Sequence, residues 1–331
     1  MQQTAHSEPT IPTTPLDNPD VWRGPDLARS QVWRYRLTSG DVDELLTAHR
    51  QSNPKDMWAW TRDDFPLPTL APKVAGWMRE LDRGRGFILL SGFPVESHSE
   101  AVCAAIWWGL GLHMGRAVSQ NTDGDLIGHV RDVGADPNAY GVRLYKTRAE
   151  QDFHTDGADI IGLFCLKAAK SGGVSRIVSS PAIFNRLLRE RPDLAPVLFE
   201  PFPFDTQGQQ KPGNDPWFEL PICRFEQGRL RTFFIPWYIR ESQLHAAAPR
   251  LSPAQLEAVA FIERAANDAD YYLDMDFEPG DMQFLKNASI LHKRTQYEDW
   301  DDPRMKRHLL RLWLVEPSFS GGEALLRRGI S

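Results

Sequence analysis

The sequence predicts a mainly β fold, a sandwich or jelly-roll barrel with helices packed on its outside. Three observations carry that expectation. From about residue 116 onward, short apolar and β-branched segments follow one another, each bounded by Gly, Asp, Asn or Pro. The helical segments are few and have recognisable starts, such as Ser252 followed by Pro253 and Gln255, a capping-box pattern. With 331 residues, 41% hydrophobic and 25% charged, the chain can bury a substantial core.

In chain order, residues 1–30 are rich in Pro, Thr and polar side chains and are expected to form a loose or draped leader, with 31–331 as a single domain. Segment 32–37 is a short strand, and Ser39-Gly40-Asp41 opens a helix running to His49. A second helix spans 72–83, with Pro72 near its first turn and Gly84 past its end. The run 86–94 is short, apolar and bracketed by Gly and Pro, which favours a buried strand. Helix 100–109 carries Trp107 and Trp108, whose indoles suit core packing. Strands are then expected at 116–120, 126–131, 160–167, 176–180, 222–225, 230–234, 271–277, 282–285, 290–292 and 307–314, with Gln227-Gly228 as a hairpin turn. Helices interrupt at 181–191, capped by Ser180, and at 253–266.

Composition excludes several functions. The net charge of −6 offers no basic excess to neutralise phosphates, so no nucleic-acid partner is expected. No apolar run approaches the roughly 20 residues that a membrane-spanning helix needs. The N-terminus lacks the basic and apolar regions of a secretory signal. Cys103, Cys165 and Cys223 are scattered, without a Cys-x-x-Cys pair, which fits a reducing cytoplasm better than a disulfide framework or structural zinc. The expected partner is a small molecule, and a homo-oligomer stays open.

Chemistry concentrates at Phe153-His154-Thr155-Asp156-Gly157. In an extended segment His154 and Asp156 project to one side, which supplies two-thirds of a facial triad for a redox-active metal. The third ligand must come from elsewhere, and His292, ending the apolar run Ile290-Leu291, is the strongest candidate. His6, His49, His98, His113, His129 and His245 show no such pairing along the chain, and His308 falls on the other face of its strand from the arginines beside it. In that last strand Arg307, Leu309, Arg311 and Trp313 share one face, and His308, Leu310, Leu312 and Leu314 the other. Two arginines on one face of an apolar strand are costly to bury unless they meet anions, so this face suits a dicarboxylate or acidic substrate, or structural ion pairs.

The order of these motifs resembles that of the Fe(II)/2-oxoglutarate-dependent dioxygenases of the taurine dioxygenase (TauD/TfdA) family. The resemblance rests on G-F-I-L-L-S-G-F-P-V at 86–95, F-H-T-D-G at 153–157, S-G-G-V-S at 171–175, E-P-G-D-M-Q-F at 278–284, N-A-S-I-L-H-K-R-T at 287–295 and K-R-H-L-L-R-L-W-L at 306–314. It implies a double-stranded β-helix (jelly-roll) core flanked by helices, with Fe(II), 2-oxoglutarate and O2 as cofactor and co-substrates. It implies that His154, Asp156 and His292 ligate iron, that Arg307 binds the distal carboxylate of 2-oxoglutarate, with Arg311 as the alternative anchor, and that Arg311 contacts an anionic group of the prime substrate. Ser175 stands where many relatives carry a co-substrate-binding Thr; the hydroxyl is kept, although the usual Gly-Gly-Asp/Glu-Thr reads Gly-Gly-Val-Ser here. Arg294 and Tyr145 are further pocket residues. The carboxylate at Asp156 disfavours a halogenase. The implied activity is oxidation, chiefly hydroxylation, of an unactivated C–H bond in a small acidic metabolite, with release of succinate and CO2. A non-catalytic jelly-roll protein binding a metal or small acid, and a same-family enzyme giving desaturation, cyclisation or epimerisation, are the alternatives. A hydrolytic zinc enzyme is disfavoured by the absence of a His-Glu-x-x-His motif.

Overall fold

Alternation along the strand His308–Val315 organises the fold, because every residue on it is buried. In the computed structural model, which describes residues 11–52, 56–121 and 123–320, Leu310, Leu312 and Leu314 face a helical layer while Leu309 and Trp313 face inward between two sheets. The two-face assignment made from the sequence therefore holds. The first ten residues of the expected leader, with His6, lie outside the described residues.

The major sheet orders Arg34–Arg36, Phe87–Ser91, Met282–Lys286, Ile160–Lys167 and His308–Val315, with Arg116–Ala117 and Ile127–Val130 both pairing the outer edge of the last strand. Its pairings are antiparallel except that of Arg34–Arg36 with Phe87–Ser91. The minor sheet orders Leu273–Met275, Ser175–Ser179, Ile290–Arg294 and Gln151–His154, all antiparallel. In both sheets, strands from late in the chain lie between strands from early in it, the interleaving of a jelly roll.

Helices Ser39–Ser52, Ala71–Arg83 and Glu100–Leu112 cover the outer face of the major sheet. Trp107 is fully buried there, its ring 5.6 Å from Phe164 and 4.8 Å from Phe284. Burying one such side chain contributes about 1.5–3 kcal/mol. Helices Ser180–Glu190 and Pro253–Ala266 cover the minor sheet, packing around Val178 and Leu291. Between the sheets, Phe87, Leu89 and Ile161 meet Ile177, Leu273 and Ile290. The inward faces that supply Ile177 and Ile290 also supply Ser175, His292 and Arg294, so the polar site is continuous with the core.

Several boundaries differ from those expected. Ser179, not Ser180, caps its helix, because its side chain accepts the Ala182 N–H. The strand expected over 271–277 is only Leu273–Met275, paired with Ser175 to Ile177, and that over 116–120 only Arg116–Ala117, paired with Leu314 and Val315. The hairpin of Pro201–Asp205 with Trp217–Pro221 and the helix Pro236–Ser242 were not foreseen, since their Pro-rich sequences mask them. Residues 11–30 lie against the body: Asn185 exchanges two hydrogen bonds with the Leu16 backbone, and Trp22 donates to the Arg85 carbonyl. Among the described residues no helix is long and apolar enough to cross a membrane.

Candidate active site

His154 ends the strand Gln151–His154 and pairs directly with His292 across the antiparallel ladder, so the two imidazoles lie side by side with ring centroids 4.2 Å apart. Asp156 follows in the next turn, where Asn287 holds its backbone from both sides: the Asp156 N–H donates to Oδ1 at 2.8 Å, and Nδ2 donates to the Asp156 carbonyl at 2.7 Å. Thr155 is tied to Phe234 by its N–H and its hydroxyl oxygen. These clamps place Asp156 Oδ1 3.8 Å from His154 Nε2 and Asp156 Oδ2 3.5 Å from His292 Nε2. One nitrogen or oxygen from each of the three residues falls within 4.8 Å of the others.

The donor set is prepared for a cation. His154 Nδ1–H donates to the Asp152 carbonyl at 2.7 Å, which leaves Nε2 as the acceptor, and the Gln151 amide donates to it at 3.1 Å. Burial drives the His154 imidazole down to about 3, and His292 adds to the effect, so the ring is neutral as a ligand must be. Burial works to raise Asp156, but the Arg311 charge and the His292 contact hold it well below the usual carboxylate range. Trp313 Nε1 donates to Asp156 Oδ2 at 3.1 Å, and Arg311 stands 3.7 Å from the same oxygen. Two imidazoles and a buried carboxylate converging in this way fit a divalent metal.

The three residues stand between two cavities. The larger, about 540 Å³, is bordered by Arg116, Arg143 and Arg311, and its lining contains no carboxylate besides Asp156. The smaller, about 50 Å³, is bordered by Ser175, Arg294 and Arg307. His154, Asp156, Tyr145 and Arg311 border both. Arg307 is 4% exposed and its Nη1 has no hydrogen-bond partner among the described residues. Gly172 and Gly173 both have positive φ, and a Cβ on Gly173 would stand 3.0 Å from Arg307 Nε, so the S-G-G-V-S turn leaves room for this guanidinium. Ser175 Oγ rests 3.3 Å from Gln283 Nε2. Arg311 donates to Gln120 Oε1 at 2.6 Å and lies over the Tyr145 ring, 4.6 Å from its centroid.

Every residue singled out from the sequence is thus in or beside one site. The sequence reading missed Asn287 and Gln120 as supports. A buried amide reveals itself only through the partners that folding brings. The same holds for His129, which meets Glu100 and His308, and for His245, whose Nε2 lies 2.5 Å from Asp205.

Comparison with known proteins gives the family and the fold. A family model described as "Taurine catabolism dioxygenase TauD, TfdA family" matches residues 48–313. FR-33289 synthase from Streptomyces rubellomurinus is 30% identical over 305 residues, spanning 91% of this chain and 90% of that protein. A taurine hydroxylase-like protein from Stachybotrys chartarum is 30% identical over 330 residues, spanning 92% and 83%. The solved structure of an asparagine oxygenase in complex with Fe(II), 2S,3S-3-hydroxyasparagine and succinate superposes with a TM-score of 0.66 over 85% of this chain and 93% of that one, at 18% identity. That last likeness is one of fold.

Proposed function

Since the chain belongs to the TauD/TfdA family of dioxygenases, we propose that His154, Asp156 and His292 hold its ferrous ion and that Arg307, with Ser175 beside it, receives the distal carboxylate of 2-oxoglutarate. The protein is an Fe(II)- and 2-oxoglutarate-dependent dioxygenase of a small molecule. When bound, iron and 2-oxoglutarate supply the activation of O2 that hydroxylates an unactivated C–H bond, with release of succinate and CO2.

The chain's own residues position and shield. The Asp152 carbonyl fixes the His154 tautomer, Asn287 fixes the Asp156 backbone, and Trp313 with Arg311 keeps that carboxylate ionised and oriented. Arg307 waits as a buried cation for an anion, since its Nη2 meets only the uncharged Gly173 carbonyl, at 3.4 Å, and its Nη1 has no hydrogen-bond partner among the described residues. This unsatisfied Nη1 of Arg307 beside the triad is the observation that carries the reading. The larger cavity, with Arg116, Arg143 and Arg311 on its walls, supports an acidic metabolite as prime substrate, with Arg311 and Tyr145 at the end nearest the iron ligands. Three buried cysteines without disulfides suit the reducing cytoplasm, and nothing in the charge balance calls for nucleic acid.

The test is anaerobic titration of the protein with Fe(II) and then 2-oxoglutarate, following the metal-to-ligand charge-transfer band. The wild type develops the band. Arg307→Ala needs about 10- to 100-fold more 2-oxoglutarate to reach it, the loss expected when a charged hydrogen-bonding partner is removed. Absence of the band in the wild type would refute the reading, and an unchanged requirement in Arg307→Ala would move the anchor elsewhere. A screen of small acids for succinate release then finds the substrate.

A further inference from the structure

Around the small cavity there is more unmet hydrogen-bonding capacity than Arg307 alone accounts for, and of the residues that carry it Arg294 and Arg307 border the cavity. Among the described residues, Arg294 Nε and Nη1, Arg307 Nη1, the Tyr297 hydroxyl and Asp299 Oδ2 are all buried without a hydrogen-bond partner. Arg294 is 7% exposed, and Arg307 and Tyr297 are 4% exposed. The three are one group, because both guanidiniums lie over the same Tyr297 ring, each 5.1 Å from its centroid. Arg294 also stands directly opposite Ser175 across the antiparallel pair, on the inward face that carries His292, and it borders the same cavity as Ser175 and Arg307.

Structural duties explain only part of this group. Arg294 donates from Nη2 to the Ala149 and Leu144 carbonyls, neither of which carries charge. Asp299 is the acid nearest Arg307, and its Oδ1 already accepts the Arg307 and Trp300 backbone N–H groups, at 2.7 and 3.2 Å. Two buried guanidiniums therefore share a slot whose lining offers them no carboxylate except Asp156, which Arg311 and Trp313 already hold. Native structures leave few such groups unsatisfied, and two guanidiniums with unpartnered nitrogens on the border of one cavity call for an anionic guest. A carboxylate has about four acceptor sites, enough for several of these donors together.

We propose that Arg294 joins Arg307 and Ser175 in holding the distal carboxylate of the oxo acid, so that two guanidiniums select a dicarboxylate. The inference rests on the assignment of Arg307 above. Arg294 serves the co-substrate slot, and the prime substrate occupies the larger cavity.

Binding, not turnover, tests it. The anaerobic charge-transfer titration is run with 2-oxoglutarate and with 2-oxovalerate, which has the same five carbons but ends in a methyl group. Arg294→Met weakens 2-oxoglutarate about 10- to 100-fold and leaves 2-oxovalerate within about twofold of wild type. Arg294→Lys, which keeps a charge, loses less. Unchanged 2-oxoglutarate affinity in Arg294→Met overturns the proposal. So does an equal weakening of both acids, which would assign Arg294 to the support of His292. Should Arg294→Met fail to fold, the same affinity ratio in Arg294→Lys decides. Arg307→Met separates the levels: if it weakens 2-oxoglutarate and Arg294→Met does not, only this proposal falls, whereas if neither matters the assignment of Arg307 falls with it.

Discussion

The strand His308–Val315 has a histidine–carboxylate group against each of its faces. On the inner face, beside Arg311 and Trp313, stand His154, Asp156 and His292; on the outer face His308 meets His129 and Glu100. The residue types are the same and the construction is not. In the outer group the two rings satisfy each other, His129 Nδ1 to His308 Nε2 at 2.8 Å, and the Glu100 and His129 side chains are 51% and 44% exposed. In the inner group His154 is anchored through its other nitrogen to a backbone carbonyl, and the carboxylate is held by an indole and an arginine. The difference teaches that side-chain identity alone does not prepare a group for a cation: contacts such as those on His154 and Asp156, together with burial, do.

The most damaging way to break the inner group is to remove its carboxylate. Asp156→Ala should abolish 2-oxoglutarate-dependent succinate formation and leave the protein without bound iron, checked by an activity assay and by metal analysis after desalting. Normal turnover in this variant would dissolve the contrast between the groups. Asn287→Ala touches no ligand atom yet frees the Asp156 backbone, so it should weaken iron binding by about 10- to 100-fold, the usual effect of losing an outer support. Competition with a chelator measures this, and affinity equal to wild type would show that the clamp is dispensable.

How much of this was legible in the sequence follows from range. The alternation of Arg307 to Leu314 is a local property, and both faces could be assigned before folding. His154 and Asp156 are also local, and His292 stood out as the histidine that ends the apolar run Ile290-Leu291, a choice the resemblance then supported. The pairing of His154 with His292 across two strands, the amide of Asn287 on Asp156 and the orphaned donors of Arg294 all depend on register between distant segments. Strand ends were misjudged where tertiary pairing trims them, as at Leu273–Met275. The outer group was invisible for the same reason: Glu100, His129 and His308 belong to a helix and two strands that meet only in the folded chain.

The smallest expected effect sharpens the contrast from the other side. Glu100→Gln removes the only carboxylate of the outer group while keeping its size and its place in the first turn of the helix Glu100–Leu112. An exposed carboxylate near two imidazoles contributes at most about 1 kcal/mol, so the melting temperature should move by no more than a few degrees. Iron content per chain and the 2-oxoglutarate requirement should match wild type. The second measurement is the stringent one, because His308 is the immediate neighbour of Arg307 and a disturbed strand would register there first. If Glu100→Gln instead lowered the amount of metal retained, the outer group would be a chelate too. Two rings that already satisfy each other, one of them solvent-exposed, would then suffice to hold a cation, and the lesson drawn from the inner group would fail.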